Sequence, residues 1–217
     1  MKLYLSRAHF PIHTLGPGKR IGIWFQGCSI QCPGCVSTDT WVGGKGATTV
    51  SAFIDAISPW LELSDGVTVS GGEPFDQEDA LREILVRLRE ADTGNILVYS
   101  GYSWEALVPR LTHFEGLIDA LITDPFLSDA PQTLALRGSD NQRLHFLSGV
   151  GKAMFHEYNR SLIPADHVLD VMVEGDEVWM AGIPFRGDLQ KLSAFLHAGG
   201  NLATTTEGLI RSNKRTV

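Results

Sequence analysis

An α/β fold of parallel strands is predicted by three observations. Strand-like apolar runs alternate with helix-like patterns, each predicted strand ends in a glycine-rich or polar motif, and the clearest helix pattern is strongly amphipathic. Such alternation implies parallel strands joined by right-handed crossovers. In a parallel sheet or barrel the C-terminal strand ends share one rim, so the motifs there would meet on one face. Four motifs on one rim point to an enzyme.

The elements follow in order. Arg20–Phe25 carries apolar residues at Ile21, Ile23 and Phe25 and reads as a strand delivering the loop Gly27-Cys28-Ser29-Ile30-Gln31-Cys32-Pro33-Gly34-Cys35. After Gly43-Gly44-Lys45-Gly46, Ser51 is placed to cap a helix with Phe53, Ile54 and Ile57 on its apolar face, broken or kinked at Pro59. Val67-Thr68-Val69-Ser70 reads as a buried strand entering Gly71-Gly72-Glu73-Pro74. Asp76 is expected to cap the next helix, with Leu81, Ile84, Leu85 and Leu88 inward and the pairs Glu78/Arg82 and Glu83/Arg87 outside. Asn95–Tyr99 is a strand ending in Ser100-Gly101-Tyr102. Ser103 opens a helix with Trp104, Leu107, Val108 and Leu111 apolar, and 117–122 is a strand ending in Thr123-Asp124-Pro125-Phe126.

From about residue 144 the pattern changes. Segments 167–173 and Glu177–Ala181 read as a hairpin turning at Glu174-Gly175-Asp176. Asp188 is expected to cap a helix with Leu189, Leu192, Phe195 and Leu196 on one face. Gly199-Gly200 stops it, and the polar remainder from Asn201 is expected to be loosely held. The expected division is a core over 1–149 and a C-terminal extension over 150–217, a small hairpin-plus-helix appendage.

Bulk properties narrow the function class. A chain of 217 residues, 43% hydrophobic and 20% charged, suits one domain with an appendage. No apolar run is long enough to span a bilayer and the first residues lack the apolar core of a signal peptide, so the expectation is a cytoplasmic protein with no membrane partner. A formal net charge of -7 argues against a nucleic-acid partner, whose phosphates are neutralised by Lys and Arg. Arg211, Lys214 and Arg215 form the one basic cluster and read as solvated surface.

All three cysteines, Cys28, Cys32 and Cys35, fall in one C-x3-C-x2-C loop. Thiolates this close converge on a metal ion or an iron-sulfur cluster, and an odd number makes a poor disulfide framework. With no fourth cysteine, a four-iron cluster would keep one iron open to a small molecule. The alternative is a Cys3His zinc site completed by His9 or His13. At the next strand end, Gly71 and Gly72 would let a ligand approach the backbone and Glu73 would accept hydrogen bonds from an ammonium group, as an amino-acid-like cofactor requires; a plain strand-to-helix turn is the other reading. His145, His156, His167 and His197 read as surface or structural histidines, and Trp60 and Trp104 as core. Arg137 and Arg143 would either bind an anionic group or tie down their own loop.

Together these residues carry a resemblance. Cys28/Cys32/Cys35 with Gly71-Gly72-Glu73-Pro74 resembles the radical S-adenosylmethionine superfamily, which implies a [4Fe-4S] cluster on the three cysteines and S-adenosylmethionine on its open iron. Within it, Cys32-Pro33-Gly34-Cys35, Thr40-Trp41, Tyr99-Ser100-Gly101-Tyr102-Ser103-Trp104-Glu105, Asp124-Pro125-Phe126 and Leu136-Arg137-Gly138-Ser139-Asp140-Asn141-Gln142-Arg143 resemble the activating proteins of anaerobic ribonucleotide reductases, over roughly residues 10 to 147. The resemblance implies a partial (β/α) barrel and reductive cleavage of S-adenosylmethionine to a 5′-deoxyadenosyl radical. It implies Gly71, Gly72 and Glu73 at the methionine end, Ser100 and Asp124 at the ribose or amine, and no side chain assigned to catalysis itself. The implied partners are a glycyl radical enzyme and a reduced flavodoxin or ferredoxin type electron donor; a peptide or small-molecule target, with the C-terminal hairpin and helix serving as a substrate lid, or a non-catalytic zinc or iron-sulfur module, are the alternatives. The chain departs from the family at Val36, where an aromatic residue is usual, in lacking a glycine after Asp124, and in its long C-terminal region.

Overall fold

The computed structural model describes residues 1–166, 168–174 and 177–200. In chain order the elements are β1 (Lys2–Ile12), β2 (Arg20–Phe25), β3 (Ala47–Thr49), α1 (Val50–Leu61), β4 (Gly66–Gly71), α2 (Glu78–Glu90), β5 (Asn95–Tyr99), α3 (Trp104–Leu111), β6 (Ala120–Thr123), β7 (Arg143–Phe146), α4 (Gly149–Phe155), β8 (Asp170–Glu174), β9 (Glu177–Ala181) and α5 (Asp188–Ala198). Seven strands form one sheet in the order β3-β1-β2-β4-β5-β6-β7. Its centre, β2-β4-β5-β6, is parallel, as the alternating pattern predicts, and β1, β3 and β7 add antiparallel edges. The fold is therefore mixed α/β with a mostly parallel sheet. Among the described residues no helix is long and apolar enough to cross a membrane.

Alternation along the parallel strands separates two faces. Ile21, Ile23, Phe25, Val67, Val69, Ile96 and Val98 pack under Phe53 and Ile57 of α1, Leu81, Ile84, Leu85 and Leu88 of α2, and Leu107 of α3. Each fully buried aliphatic side chain there contributes about 1.5–3 kcal/mol. On the opposite face Leu97, Ala120 and Ile122 pack against Leu136 and Phe155, while Ile12, Leu15 and Trp24 meet Ala181 with Met172 and Trp179. Arg20 bolts the start of the parallel strands together from this second face. All five of its N–H groups reach neutral acceptors: Nε to Thr68 Oγ1 (2.6 Å), Nη1 to Asn95 Oδ1 (2.7 Å) and Pro17 O (3.0 Å), Nη2 to Val67 O (2.6 Å) and Asn95 O (3.3 Å). Burial without an acid partner pulls its pKa down to about 10.

Several local expectations are corrected. Thr49, not Ser51, caps α1 by accepting from Ala52 N, and the helix runs through Pro59 to Leu61. Proline removes the donor that Asp55 O would use, and Ser58 Oγ takes that carbonyl instead (2.8 Å). Asp76 does not cap α2, which follows a short 3-10 turn capped by Glu73 and has Gln77 at its N-cap. Glu78 pairs with Arg110 at 2.7 Å and Arg87 with Glu90, rather than in the expected i,i+4 pairs. Strand β6 starts at Ala120, and Val108 is exposed. Strands β1, β3 and β7 were not anticipated, although Leu3 and Leu5, both buried, carry the two-residue period of β1. In the extension Gly187, in the left-handed region at φ +83, is the N-cap of α5 and Asp188 its first residue. Phe195 is 76% exposed and faces away from the packing. Residues 175 and 176 of the hairpin turn, His167, and the tail with Arg211, Lys214 and Arg215 lie outside the described residues.

Candidate metal and cofactor site

The four motifs do lie at the ends of four adjacent parallel strands, and the backbone clamps the first of them to the others. Gly27 N donates to Thr40 O (2.7 Å) and Cys28 N to Trp41 O (3.2 Å), while Gly72 N donates to Phe25 O and Glu73 N to Gly27 O (2.8 Å each). This close approach is what the glycines permit. Gly71 has φ +109, and a Cβ there would sit 2.3 Å from Phe25 N; a Cβ on Gly72 would sit 2.0 Å from Gly27 O. Ile30 of the cysteine loop packs on Gly101, and Gly34 lies against Phe126 and Ser128. The loop thus touches the ends of β4 and β5 and the segment after β6.

Asp76 fastens the loop from below. It accepts from Ser29 N (2.7 Å), Ser29 Oγ (2.9 Å) and Tyr102 Oη (2.7 Å), so the residue expected to cap a helix holds the cysteine loop instead. The signal was its position two residues after a proline that already starts the turn.

Cys28, Cys32 and Cys35 line one cavity of about 410 Å³, within the range of cofactor sites. Burial pushes all three thiols up, and backbone N–H groups of Gln31, Phe126 and Ser37 pull against that shift at Cys28, Cys32 and Cys35 respectively. Such thiols are poor free nucleophiles and become thiolates on coordinating metal, where N–H···S bonds tune the site. Neither histidine expected as a zinc ligand joins them: His13 faces Asp170 at 3.2 Å, and His9 stacks on Trp179 at 4.0 Å. Among the described residues no group of three His, Cys, Asp or Glu is arranged to hold a single metal ion. Three thiols on one cavity wall, with adjoining space lined by Ser70, Gly71, Gly72, Glu73 and Ser100, fit a cluster with a cofactor beside it.

Glu73 is buried and does more than line this space. Its Oε1 accepts from Phe75 N (3.0 Å) and Ser100 Oγ (2.9 Å), and its Oε2 accepts from Gly101 N (2.7 Å). It therefore ties the end of β4 to the end of β5. Burial pushes its pKa up to about 7, against the downward pull of those three hydrogen bonds. Oε2 accepts one hydrogen bond here and keeps acceptor capacity for a second, of the kind an ammonium group would donate. Asp124 does not line the cavity. Held at φ +82, it forms a two-pronged ion pair with Arg143, Nε to Oδ2 at 2.7 Å and Nη2 to Oδ1 at 2.9 Å, and Arg143 also grips Glu105. Arg143 thus ties down its own loop. His145 stacks on Trp104 at 3.8 Å and bonds Thr123, a structural role as expected.

The C-terminal hairpin and helix, expected over the site only as a substrate lid in the peptide or small-molecule alternative, contribute a second wall to the cavity lining. Val178 to Arg186 and Leu189, from the C-terminal extension, line the same cavity as the cysteines and Val36. Trp179 anchors this wall, stacked on His9 and edge-on to Trp24 at 4.7 Å, with Arg7 over its ring. Asp170 accepts from His13 N (2.8 Å), Thr14 N (3.0 Å) and Thr14 Oγ1 (2.8 Å), and Arg186 donates to Leu127 O (3.1 Å) and Ala130 O.

The 4Fe-4S single cluster domain family matches residues 14–145. The anaerobic ribonucleoside-triphosphate reductase-activating protein of Escherichia coli (strain K12) is 30% identical over 150 residues, 64% of this chain and 96% of that protein. The protein of the same name from Enterobacteria phage T4 is 27% identical over 137 residues, 59% of this chain and 85% of that one. Pyruvate formate-lyase-activating enzyme of Clostridium pasteurianum is 29% identical over 152 residues, 68% of this chain and 58% of that enzyme.

Proposed function

The chain belongs to the 4Fe-4S single cluster domain family, and from that premise we propose that it is a radical S-adenosylmethionine enzyme that activates a glycyl radical enzyme of the anaerobic ribonucleotide reductase kind. The observation that carries the reading is the meeting of Cys28, Cys32 and Cys35 with Gly71, Gly72, Glu73 and Ser100 around one cavity. A [4Fe-4S] cluster held by the three cysteines, with S-adenosylmethionine beside it, would supply reductive cleavage of the cofactor and so hydrogen-abstracting radical chemistry. The protein's part is position and exclusion of water. The three cysteines hold the cluster, the β4 end with Glu73 Oε2 takes the methionyl ammonium, and Ser100 lies at the neighbouring strand end. Asp124 acts from outside the cavity by fixing Arg143 and the loop beside Phe126.

On the same reading the parallel strands form one side of a partial (β/α) barrel with the cavity inside. Support comes from the alternation: Trp24, Ser70 and Tyr99 line the cavity, while their neighbours Ile23, Val69 and Val98 pack under the helices. Residues 1–149 are the core and 150–217 the extension. A reduced flavodoxin or ferredoxin would supply the electron, in the cytoplasm. A second reading keeps the chemistry and changes the target to a peptide or small molecule; it is favoured by the extension's place on the cavity wall.

The deciding experiment mixes reconstituted, reduced protein and S-adenosylmethionine with a candidate anaerobic reductase and records electron paramagnetic resonance. A glycyl radical signal dependent on all components is expected. Cofactor cleavage without any such signal favours the second reading.

A further inference from the structure

Strand β9 presents an edge, not a face, to the cysteine cavity. Side chains along a strand alternate between two faces, yet the consecutive residues Val178, Trp179, Met180 and Ala181 all line that cavity. No residue from Asp170 to Val173 of β8 lines it, so β9 lies between β8 and the cavity. The hairpin is a two-stranded sheet, which leaves the cavity side of β9 without a neighbouring strand among the described residues.

The register fixes which main-chain groups that side carries. Glu174 pairs with Glu177 across a two-residue connection, the arrangement in which the flanking pair is hydrogen-bonded. Alternation along the ladder makes Met172/Trp179 and Asp170/Ala181 hydrogen-bonded pairs as well, and turns the N–H and C=O of Val178 and Met180 away from β8. The position of Ala181 O agrees: Thr14 Oγ1, which bonds Asp170 on β8, also reaches it at 3.2 Å. The outward groups of Val178 and Met180 have no main-chain partner among the described residues.

Natural proteins blunt such edges with lysine, proline or a bulge. Val178 to Ala181 has no charged residue and no proline, and its pairing with β8 has no register shift. The surface beside it is apolar. Val178 opposes Val173 and Met180 opposes Val171, so the four share one face of the hairpin, on which all three valines are exposed. Met172 and Trp179, on the other face, pack on the core.

We propose that the β9 edge docks the substrate segment of the partner protein, an extended apolar stretch bearing the target glycine, which adds to β9 as a third strand and is led by it into the cavity. The inference rests on the reading of the chain as an activator of a glycyl radical enzyme. A backbone Cα hydrogen enters this cavity only if the segment bearing it leaves its own fold, and such a segment arrives with unpaired N–H and C=O groups. The edge offers the matching set. In strand addition of this kind main-chain bonds give affinity and alternate side chains, here laid against the valine face, give selectivity.

The test measures binding and needs no radical. Full chain reconstituted with its cluster and holding S-adenosylmethionine is titrated without oxygen into a fluorescein-labelled heptapeptide of alternating threonine and valine with glycine at its centre, followed by anisotropy. Two further peptides are N-methylated on alternate residues, in the two possible phases. Saturable binding is expected, with one methylated phase retained and the other at least about tenfold weaker, because only one phase removes the donors that face β9. Met180→Pro deletes an outward N–H at an edge position that tolerates proline and should weaken the unmethylated peptide about tenfold, whereas Met180→Val keeps the N–H and should bind within about threefold of wild type. No saturable binding, or equal binding of both methylated phases to the wild type, would overturn the proposal. So would a wild-type dimer in sedimentation that Met180→Pro dissociates, since a second copy would then occupy the edge. The glycyl radical is recorded separately: a radical formed without edge binding removes the docking strand alone, and edge binding without a radical on any reductase removes the activator reading alone.

Discussion

The cysteine cavity has two walls of opposite construction. The wall of strand ends is built from backbone: Gly72 N and Glu73 N donate to Phe25 O and Gly27 O, and the buried carboxylate of Glu73 joins two strands. The second wall, Val178 to Arg186, is held to the core by side chains, with Trp179 against His9 and Trp24, Asp170 of the paired strand β8 on His13 and Thr14, and Arg186 on Leu127. The first wall lies within the family match, which stops at residue 145, and the second lies beyond it. A curated relative covered over 96% of its own length accounts for 64% of this chain. The part of the lining within the family match is the one whose geometry is fixed by main chain, and the part beyond it is held to the core by side chains. Rim substitutions should therefore damage fold and cofactor binding together, whereas substitutions in the second wall should spare cofactor cleavage.

The largest expected effect is at Glu73. Glu73→Ala strands Phe75 N, Gly101 N and Ser100 Oγ in a buried site, at a cost of about 4 kcal/mol. Denaturant unfolding would show it, and an effect below about 1 kcal/mol would mean that water replaces the carboxylate and the rim is softer than described.

Next comes pH. Because burial raises the folded pKa of Glu73 from 4.5 to about 7, the folded state holds the proton more tightly than the unfolded chain. Its contribution to stability is full below pH 4.5 and falls as pH rises to about 7, by at most about 3 kcal/mol. Glu73→Gln should remove that slope from a pH series of unfolding curves; an unchanged slope would assign it to other groups.

Trp179→Ala is smaller, about 2 kcal/mol for a half-buried indole, and local. Faster proteolysis within the extension is expected, with 5′-deoxyadenosine formation retained. Loss of cofactor cleavage in this variant would erase the distinction between the walls. Asp76→Asn is smallest, about 1 kcal/mol at an exposed carboxylate, and should appear as a cluster lost a few-fold faster to chelator, measured by the decay of its visible absorbance.

How much of this was legible in the sequence follows the same division. Strand periodicity placed Arg20–Phe25 and Asn95–Tyr99 with the observed bounds, and the strand-end motifs placed the cysteines beside Gly71 to Glu73. Edge strand β1 escaped because only Leu3, Leu5 and Ile12 of its eleven residues are buried, which weakens its alternation. Asp76 was misread because a carboxylate after a proline resembles a helix cap, and only the fold brings Ser29 within its reach, 47 residues away. The same holds for Trp179, whose partners His9 and Trp24 lie more than 150 residues earlier. Glycines were read as room for a ligand; Gly71 and Gly72 line the cavity and also make room for Phe25 and Gly27.

The central claim is that the cysteine loop and the β4 end form one cofactor site. It is tested most directly by reconstituting the protein with iron and sulfide without oxygen, reducing it, adding S-adenosylmethionine, and quantifying 5′-deoxyadenosine beside a Cys32→Ala control. The account predicts 5′-deoxyadenosine and methionine in equal amounts from the wild type and only background from Cys32→Ala. Wild-type yields no higher than the control, or protein that retains one zinc and no sulfide, would contradict it.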